Sequence, residues 1–167
     1  MPVSRARNSD SFQATTPADR EIRLTRLFDA PRELVWEAMS KPEHVRRWWG
    51  ILSDEHSVAA CDIDLRPGGR WRFVGRGPQG EYAFSGEYRE VTPPERVVFT
   101  EIFEPFFDGP SLVTSTLTEE DGRTRLTVTA EYQSREVRDM VLGSGMARGA
   151  AISYDRLEDV VQELQRA

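Results

Sequence analysis

Glu101 lies in the run RVVFTEIFE, with Phe99 two residues before it and Phe103 two after. Side chains two apart on an extended strand share a face, so the carboxyl would stand between two rings. Burial there opposes ionisation unless an arginine, or a donor on a bound molecule, meets it. Such a group could orient a ligand or move a proton. A strand-edge carboxylate reaching solvent is the other placement, and the sequence leaves both open. The remaining reactive residue types offer less. His44 follows Glu43 on a short helix and His56 lies in the polar run SDEHS, so both read as solvated surface histidines. Ser144 in GSGM is not the G-x-S-x-G of a nucleophile elbow. Cys61, the one cysteine, excludes an internal disulfide and any CxxC pair, and its place in AACDI reads as core. No metal site is readable and no cofactor is expected.

A sheet is needed to present Glu101 in this way, and the chain's hydrophobic pattern supplies one. The first strand is expected at residues 21 to 29, EIRLTRLFD, with Ile22, Leu24 and Phe28 on one parity and Leu27 on the other. DAPREL then starts a helix, with Asp29 as side-chain acceptor, Pro31 where no amide partner is needed and Glu33 near the positive end. Leu34, Val35, Ala38 and Met39 form its buried stripe, with Trp36 to one side. Lys41-Pro42-Glu43 starts a second helix of two turns through Trp49, closed by Gly50. Residues 57 to 132 read as six strands, joined by the breaks RPGGR, GPQG, TPPE, PFFDGP and EDGR. With residues 21 to 29 they make a seven-stranded antiparallel sheet. Beyond residue 133 the period becomes helical. SREVRDMVL is followed by a break at Gly143-Ser144-Gly145 and then by a long helix carrying Met146, Ala150, Tyr154, Leu157, Val161 and Leu164.

Strand parity places Trp71 with Phe73, Tyr82 with Phe84 and Tyr88, and Val97 with Phe99, Glu101 and Phe103. One face of the sheet is thus lined with rings. The other carries Asp62, Asp64, Arg70, Arg72, Glu87 and Arg89, expected as cross-strand charge pairs in water. A ring-lined face is ordinarily hydrophobic core. Here a single long helix must cover seven strands, and it begins with small residues, so a cavity is expected beside Gly149, Ala150 and Ala151. The adjacent Trp48 and Trp49 pose a related question. Residues one apart on a helix differ by about 100° in direction, so only one of the two indoles can join the buried stripe.

At 167 residues, with 38% apolar and 30% charged, the chain suits one domain over residues 21 to 167 behind a flexible tail, residues 1 to 20. The net charge of −6, with no uninterrupted basic run, excludes a phosphate-backbone binder, so no nucleic-acid partner is expected. The first twenty residues hold no apolar core of a signal peptide or membrane span. A cytoplasmic protein without membrane insertion is expected. An outward aromatic such as Phe106 or Phe107, or an exposed strand edge, would suit a homodimer.

Four motifs together resemble the homologues of the activator of the ninety-kilodalton heat-shock protein ATPase, within the START-like (SRPBCC, polyketide cyclase and lipid-transport) superfamily. They are DAPRELVWEAMSKPEHVRRWWG, DIDLRPGGRWRF, GEYREVTPPERVVFTE and GMARGAAISYDRLEDVVQEL, and the likeness covers about residues 21 to 165. It implies an α+β helix-grip fold, in which a curved antiparallel sheet of about seven strands grips the C-terminal helix and two short helices lie between strands one and two. The second short helix would sit at the mouth of a cavity, with one of Trp48 and Trp49 packed inward and the other lining or lidding the entrance. Family members often carry Trp where this chain has Ala150, which implies a larger cavity here.

Two functions follow from that resemblance. In the first, a cavity between sheet and helix holds a small hydrophobic or aromatic molecule, for transport, sequestration or a stress response. Its expected lining is Trp48, Trp49, Trp71, Phe73, Phe84, Phe99, Phe103, Met146, Ala150 and Tyr154, with Glu101 as orienting group. In the second, relatives that are cyclases, aromatases or hydrolases point to an enzyme using the same cavity, with Glu101 as general acid/base and Tyr154 as its hydrogen-bonding partner. A chaperone partner is placed last, because only the C-terminal half of the eukaryotic activator resembles this chain.

Overall fold

In the computed structural model, which describes residues 7 to 106 and 109 to 167, eight strands form one antiparallel sheet. They are β1 (Gln13–Thr15), β2 (Glu21–Phe28), β3 (Ser57–Ile63), β4 (Arg70–Gly77), β5 (Gly80–Thr92), β6 (Arg96–Phe103), β7 (Ser111–Glu120) and β8 (Arg123–Glu131). Their spatial order is β1-β2-β8-β7-β6-β5-β4-β3. Strands β3 to β8 follow one another as a meander. Asp121 and Gly122 both adopt positive φ, 52° and 80°, between β7 and β8, the conformation that matches strand twist in a two-residue hairpin. Pro78 and Gln79 turn between the paired Gly77 and Gly80.

Helices α1 (Arg32–Ser40) and α2 (Pro42–Trp48) separate β2 from β3, and α3 (Arg135–Gly143) and α4 (Met146–Arg166) follow β8. Proline opens α2 at its first position, where a missing amide is harmless. Ser134 caps α3 by accepting from the Val137 amide at 3.1 Å. At α1 the expected cap by Asp29 does not form. Pro31 is the N-cap residue, and Asp29 pairs with Arg7 at 3.3 Å instead. The helix-grip arrangement implied by the resemblance is the one observed, with an eighth strand added.

The added strand comes from the segment expected to be a flexible tail. Ser9–Ser11 form a 3-10 turn, β1 pairs along the outer edge of β2, and Phe12 packs on the core 6.1 Å from the Tyr154 ring. Residues 1 to 6 of the expected tail, and Phe107, lie outside the described residues. What ties this segment down is Arg26, which faces inward on β2 among Ile22, Leu24 and Phe28 and is fully buried at 0% exposure. Its guanidinium donates to the Glu158 carboxylate at 3.2 Å, to Asp155 at 2.9 Å, and to the carbonyls of Arg7 at 2.8 Å and Leu27 at 2.9 Å. Glu158, 1% exposed on α4, also accepts from Asn8, the Asp29 amide and Gln162. A buried charge is tolerated only when it is paired and hydrogen-bonded, and the partners here come from the N-terminal segment, β2 and α4. The network therefore joins the N-terminal segment, β2 and α4.

On the outer face cross-strand charge pairs form, though with partners partly other than those expected. Arg72 reaches Glu104 in a two-pronged bond at 2.9 Å, Arg76 takes Glu81, and Asp64 pairs locally with Arg66. Glu81 is directly opposite Arg76, whereas the long stem of Arg72 carries it past Asp62 opposite to the better geometry of Glu104. No helix among the described residues is long and apolar enough to cross a membrane.

Three substitutions have expected outcomes in urea titrations. Arg26→Met leaves Glu158 buried without its cation and lowers stability by about 3 kcal/mol or more, whereas combining it with Glu158→Leu restores most of the loss. Gly86→Ala is expected to cost several kcal/mol, since a Cβ there would stand 1.7 Å from the Thr100 carbonyl oxygen. Gly143→Ala, in open space at the end of α3, gains roughly 0.5 kcal/mol.

Candidate functional site

Trp48 and Trp49 diverge because the helix ends between them. Trp48 closes α2, is 6% exposed, and donates its indole N–H to the Ala38 carbonyl at 2.9 Å. Trp49 has already left the helix, with φ −68° and ψ 121°, and Gly50 follows at φ 67°. That turn of the backbone sets the second indole on the sheet, 5.2 Å from Phe73, 5.6 Å from Phe84 and 6.2 Å from Tyr82. Trp48 is the inward ring and Trp49 the one that lies across the sheet.

The rings of β4, β5 and β6 continue from there. Trp71 meets Phe73 at 5.0 Å and Phe99 at 5.4 Å, and Phe84 stacks on Phe103 at 4.9 Å. Two glycines make room for them. Gly86 lies opposite Trp71 and Gly75 opposite Tyr82 across the β4–β5 ladder. A Cβ on Gly75 would come within 2.5 Å of the Tyr82 ring, and one on Gly86 within 2.8 Å of the Trp71 indole nitrogen. Each ring therefore lies over bare backbone, and Trp71 donates to the Thr100 carbonyl at 3.2 Å. Trp49, Phe73, Phe84 and Phe99 are half-buried, and Phe103 is 40% exposed.

Glu101 stands on this face, between Phe99 and Phe103. Ser111 is opposite it on β7 and donates to the Glu101 main-chain carbonyl at 3.2 Å. Two tyrosines complete the surroundings, Tyr132 just past the end of β8 and Tyr154 on α4, both within electrostatic reach of the carboxylate. Desolvation pushes the Glu101 carboxyl up to about 7. Among the described residues no cation and no hydrogen-bond donor meets its side chain. Burial, and then the charge on Glu101, hold the Tyr132 and Tyr154 hydroxyls above the ordinary phenol range, so both keep their protons at neutral pH. The inward placement of Glu101, one of two that the strand pattern leaves open, is the one observed.

The structure thus gathers Trp49, Trp71, Phe73, Phe84, Phe99 and Phe103 around Glu101. Trp48 belongs to the packed core, 6.4 Å from Tyr154, which also meets Phe12 and Phe28 there and reaches the ring face through the charge on Glu101. Met146 and Ala150 are half-buried on the same stripe of α4. That helix packs chiefly on α1, α2, α3 and β2, so most of the ring face of β4 to β6 extends beyond it. Beside Gly149, where a cavity is expected, the Leu52 side chain approaches to 3.9 Å of the position a Cβ would take. Tyr132 is a neighbour that sequence reasoning missed, although it continues the alternation of Val128 and Ala130. Leu52, in a loop without periodicity, gave no such signal.

The other reactive groups lie apart from this face or are inert. His44 is 3.8 Å from Glu37, and His56 shares a hydrogen bond with Ser53 at 2.7 Å. Cys61 is buried in the core and its thiol is pushed up to about 11 by desolvation. No cluster able to hold a metal ion occurs among the described residues.

The raised Glu101 carboxyl gives a signed pH dependence. The unfolded chain loses this proton near 4.5 and the folded chain near 7, so stability is full below the first value and falls as pH rises through the second. Relative to Glu101→Gln, the protein is expected to lose up to about 3 kcal/mol between those values and nothing further above them, measured by urea unfolding across the pH range.

Comparison with known proteins agrees with this architecture. A protein from Rhodobacter sphaeroides of known structure is 26% identical, with 92% of this chain and 99% of that chain aligned at a TM-score of 0.82. Protein Ms6760 from Mycobacterium smegmatis is 31% identical over 89% of this chain and 94% of its own, at a TM-score of 0.80. Protein NE0264 from Nitrosomonas europaea, at 24% identity, shares the fold over 91% of this chain and 100% of its own, with a TM-score of 0.79. No curated protein matches the chain significantly. The family described as Activator of Hsp90 ATPase homolog 1-like protein matches residues 29–162, and the chain belongs to that family.

Proposed function

We propose that the ring-lined face between β4–β6 and the first turns of α4 binds a small, flat, apolar molecule, and that Glu101 orients it through one polar group. The observation that carries this reading is the unpartnered carboxyl itself. A desolvated acid on an aromatic surface raises its own pKa and contributes nothing to packing, a liability that a ligand's polar group would relieve. The half-buried rings supply contact area, and the small side chain of Ala150 keeps α4 thin where a ligand would pass beneath it. With its single cysteine buried and reduced, the protein suits the cytoplasm.

A second reading, an enzyme on the same face, is favoured by the position of the Glu101 carboxyl near neutrality, where a general acid/base works best. Tyr154 would then serve as a neutral donor to the reacting group. Glu101→Gln separates the two readings, since it abolishes turnover in the second and only retunes affinity in the first.

The direct test is native mass spectrometry of protein purified without detergent. A retained small adduct that disappears on denaturation is expected, and its mass identifies the ligand. Ala150→Trp should remove the adduct while the thermal midpoint stays within a few degrees of the parent. A clean apo mass, together with no response to aromatic compounds, would point to a solid core and to protein partners.

A further inference from the structure

We infer that the preferred ligand carries a protonated nitrogen, held by the Glu101 carboxylate against the faces of Trp71 and Phe99. This inference rests on the binding reading above and adds the charge of the bound molecule.

Three features of the site point the same way. First, the carboxylate has no cation of its own among the described residues, although the chain holds many arginines. Arg72, Arg76 and Arg26 are engaged elsewhere, with Glu104, Glu81 and Glu158 respectively. Second, the walls are aromatic faces. Trp71 and Phe99 are 5.4 Å apart and nearly perpendicular, so they form a corner beside Glu101, and the negative face of an indole or phenyl ring attracts a cation within about 6 Å. Third, the charged or titratable groups that reach Glu101 electrostatically are Tyr132 from the end of β8 and Tyr154 from α4, both protonated at neutral pH. Their hydroxyls add lone pairs and no positive charge.

A fatty acid or phosphate ester would place a second negative charge beside Glu101 in a poorly solvated setting, which is strongly unfavourable. A neutral donor can hydrogen-bond the carboxylate but leaves its charge uncompensated. An ammonium group satisfies the carboxylate and the ring faces together, and the net charge of −6 favours its approach. The aromatic surface around this corner, from Trp49 to Phe103, then accommodates a flat apolar body.

The test uses three probes with one ring system: 2-naphthylmethylammonium, 2-naphthalenemethanol and 2-naphthoate. Their affinities for the whole protein are measured by calorimetry at about pH 8 and low salt. The ammonium is expected to bind at least about tenfold tighter than the alcohol, and the naphthoate at least about tenfold weaker than the alcohol. Glu101→Gln should reduce the ammonium-to-alcohol ratio to below about two, whereas Glu104→Gln, on the outer face, should leave it intact. If the alcohol binds as tightly as the ammonium, the charge inference is overturned while the binding reading stands. An ammonium advantage that survives Glu101→Gln also overturns it, since net charge alone would then account for the preference. If none of the probes binds at millimolar concentration, the binding reading fails and this inference falls with it.

Discussion

One long helix has to cover a sheet much wider than itself. At 21 residues α4 is about 32 Å long and about 10 Å across, while eight strands about 4.8 Å apart span roughly 34 Å. Helices α1 and α2 add breadth, and the bulges at Val58/Ala60 and Tyr88/Glu90 bend the outlying strands. Even so, α4 settles against β2 and the other helices, and β4, β5 and β6 have to be roofed by their own side chains. Large rings are the side chains able to do this, since each buries much area on a short stem.

The two halves of the molecule are consequently held by different physics. Beneath α4 the interior is closely packed, and the Arg26–Glu158 pair sits within it. Apolar stripes tolerate a helix sliding or rotating by a fraction of a turn, but a guanidinium bonded to Glu158, Asp155 and two carbonyls does not. That pair sets where along the sheet α4 lies, and therefore how far the Met146 and Ala150 end projects over the rings. Across β4 to β6, ring edges meet ring faces over glycines, and the contacts remain partly open. Glu101 lies at the boundary between the two halves.

The strand and helix order was readable because each element has a strong local cause: alternation in β4 to β8, Asp121-Gly122 at the hairpin, Pro42 at the start of α2 and the long stripe of α4. The ring face was readable from parity alone. Other features lay outside the reach of local reasoning. Arg26 follows Ile22 and Leu24 in the inward register, but a single arginine in a strand reads as solvated until its carboxylate, 132 residues away, is known. Glu158 is its counterpart on α4, and Phe12 and β1 became part of the fold through the same connection. Trp48 turned inward because it shares the helix face of Val45 three residues before it, while the place of Trp49 depended on where α2 stopped.

The way the sheet ends has a consequence for how the protein behaves when crowded. An open edge invites another chain to add a strand. Here one edge is β1, three exposed residues long, too short to template an extended pairing. The other is β3, where α2 packs alongside and Arg46 donates to the Val58 carbonyl at 3.3 Å. The N-terminal segment that Arg26 tethers thus serves as a selvedge: β1 covers Arg23 to Thr25 of the β2 rim, the Ser11 hydroxyl takes the Leu27 amide, and a brief edge is exposed in their place. A chain that lost those residues would present eight residues of alternating, half-apolar strand to its neighbours, and sheet-to-sheet fusion would compete with folding at high concentration.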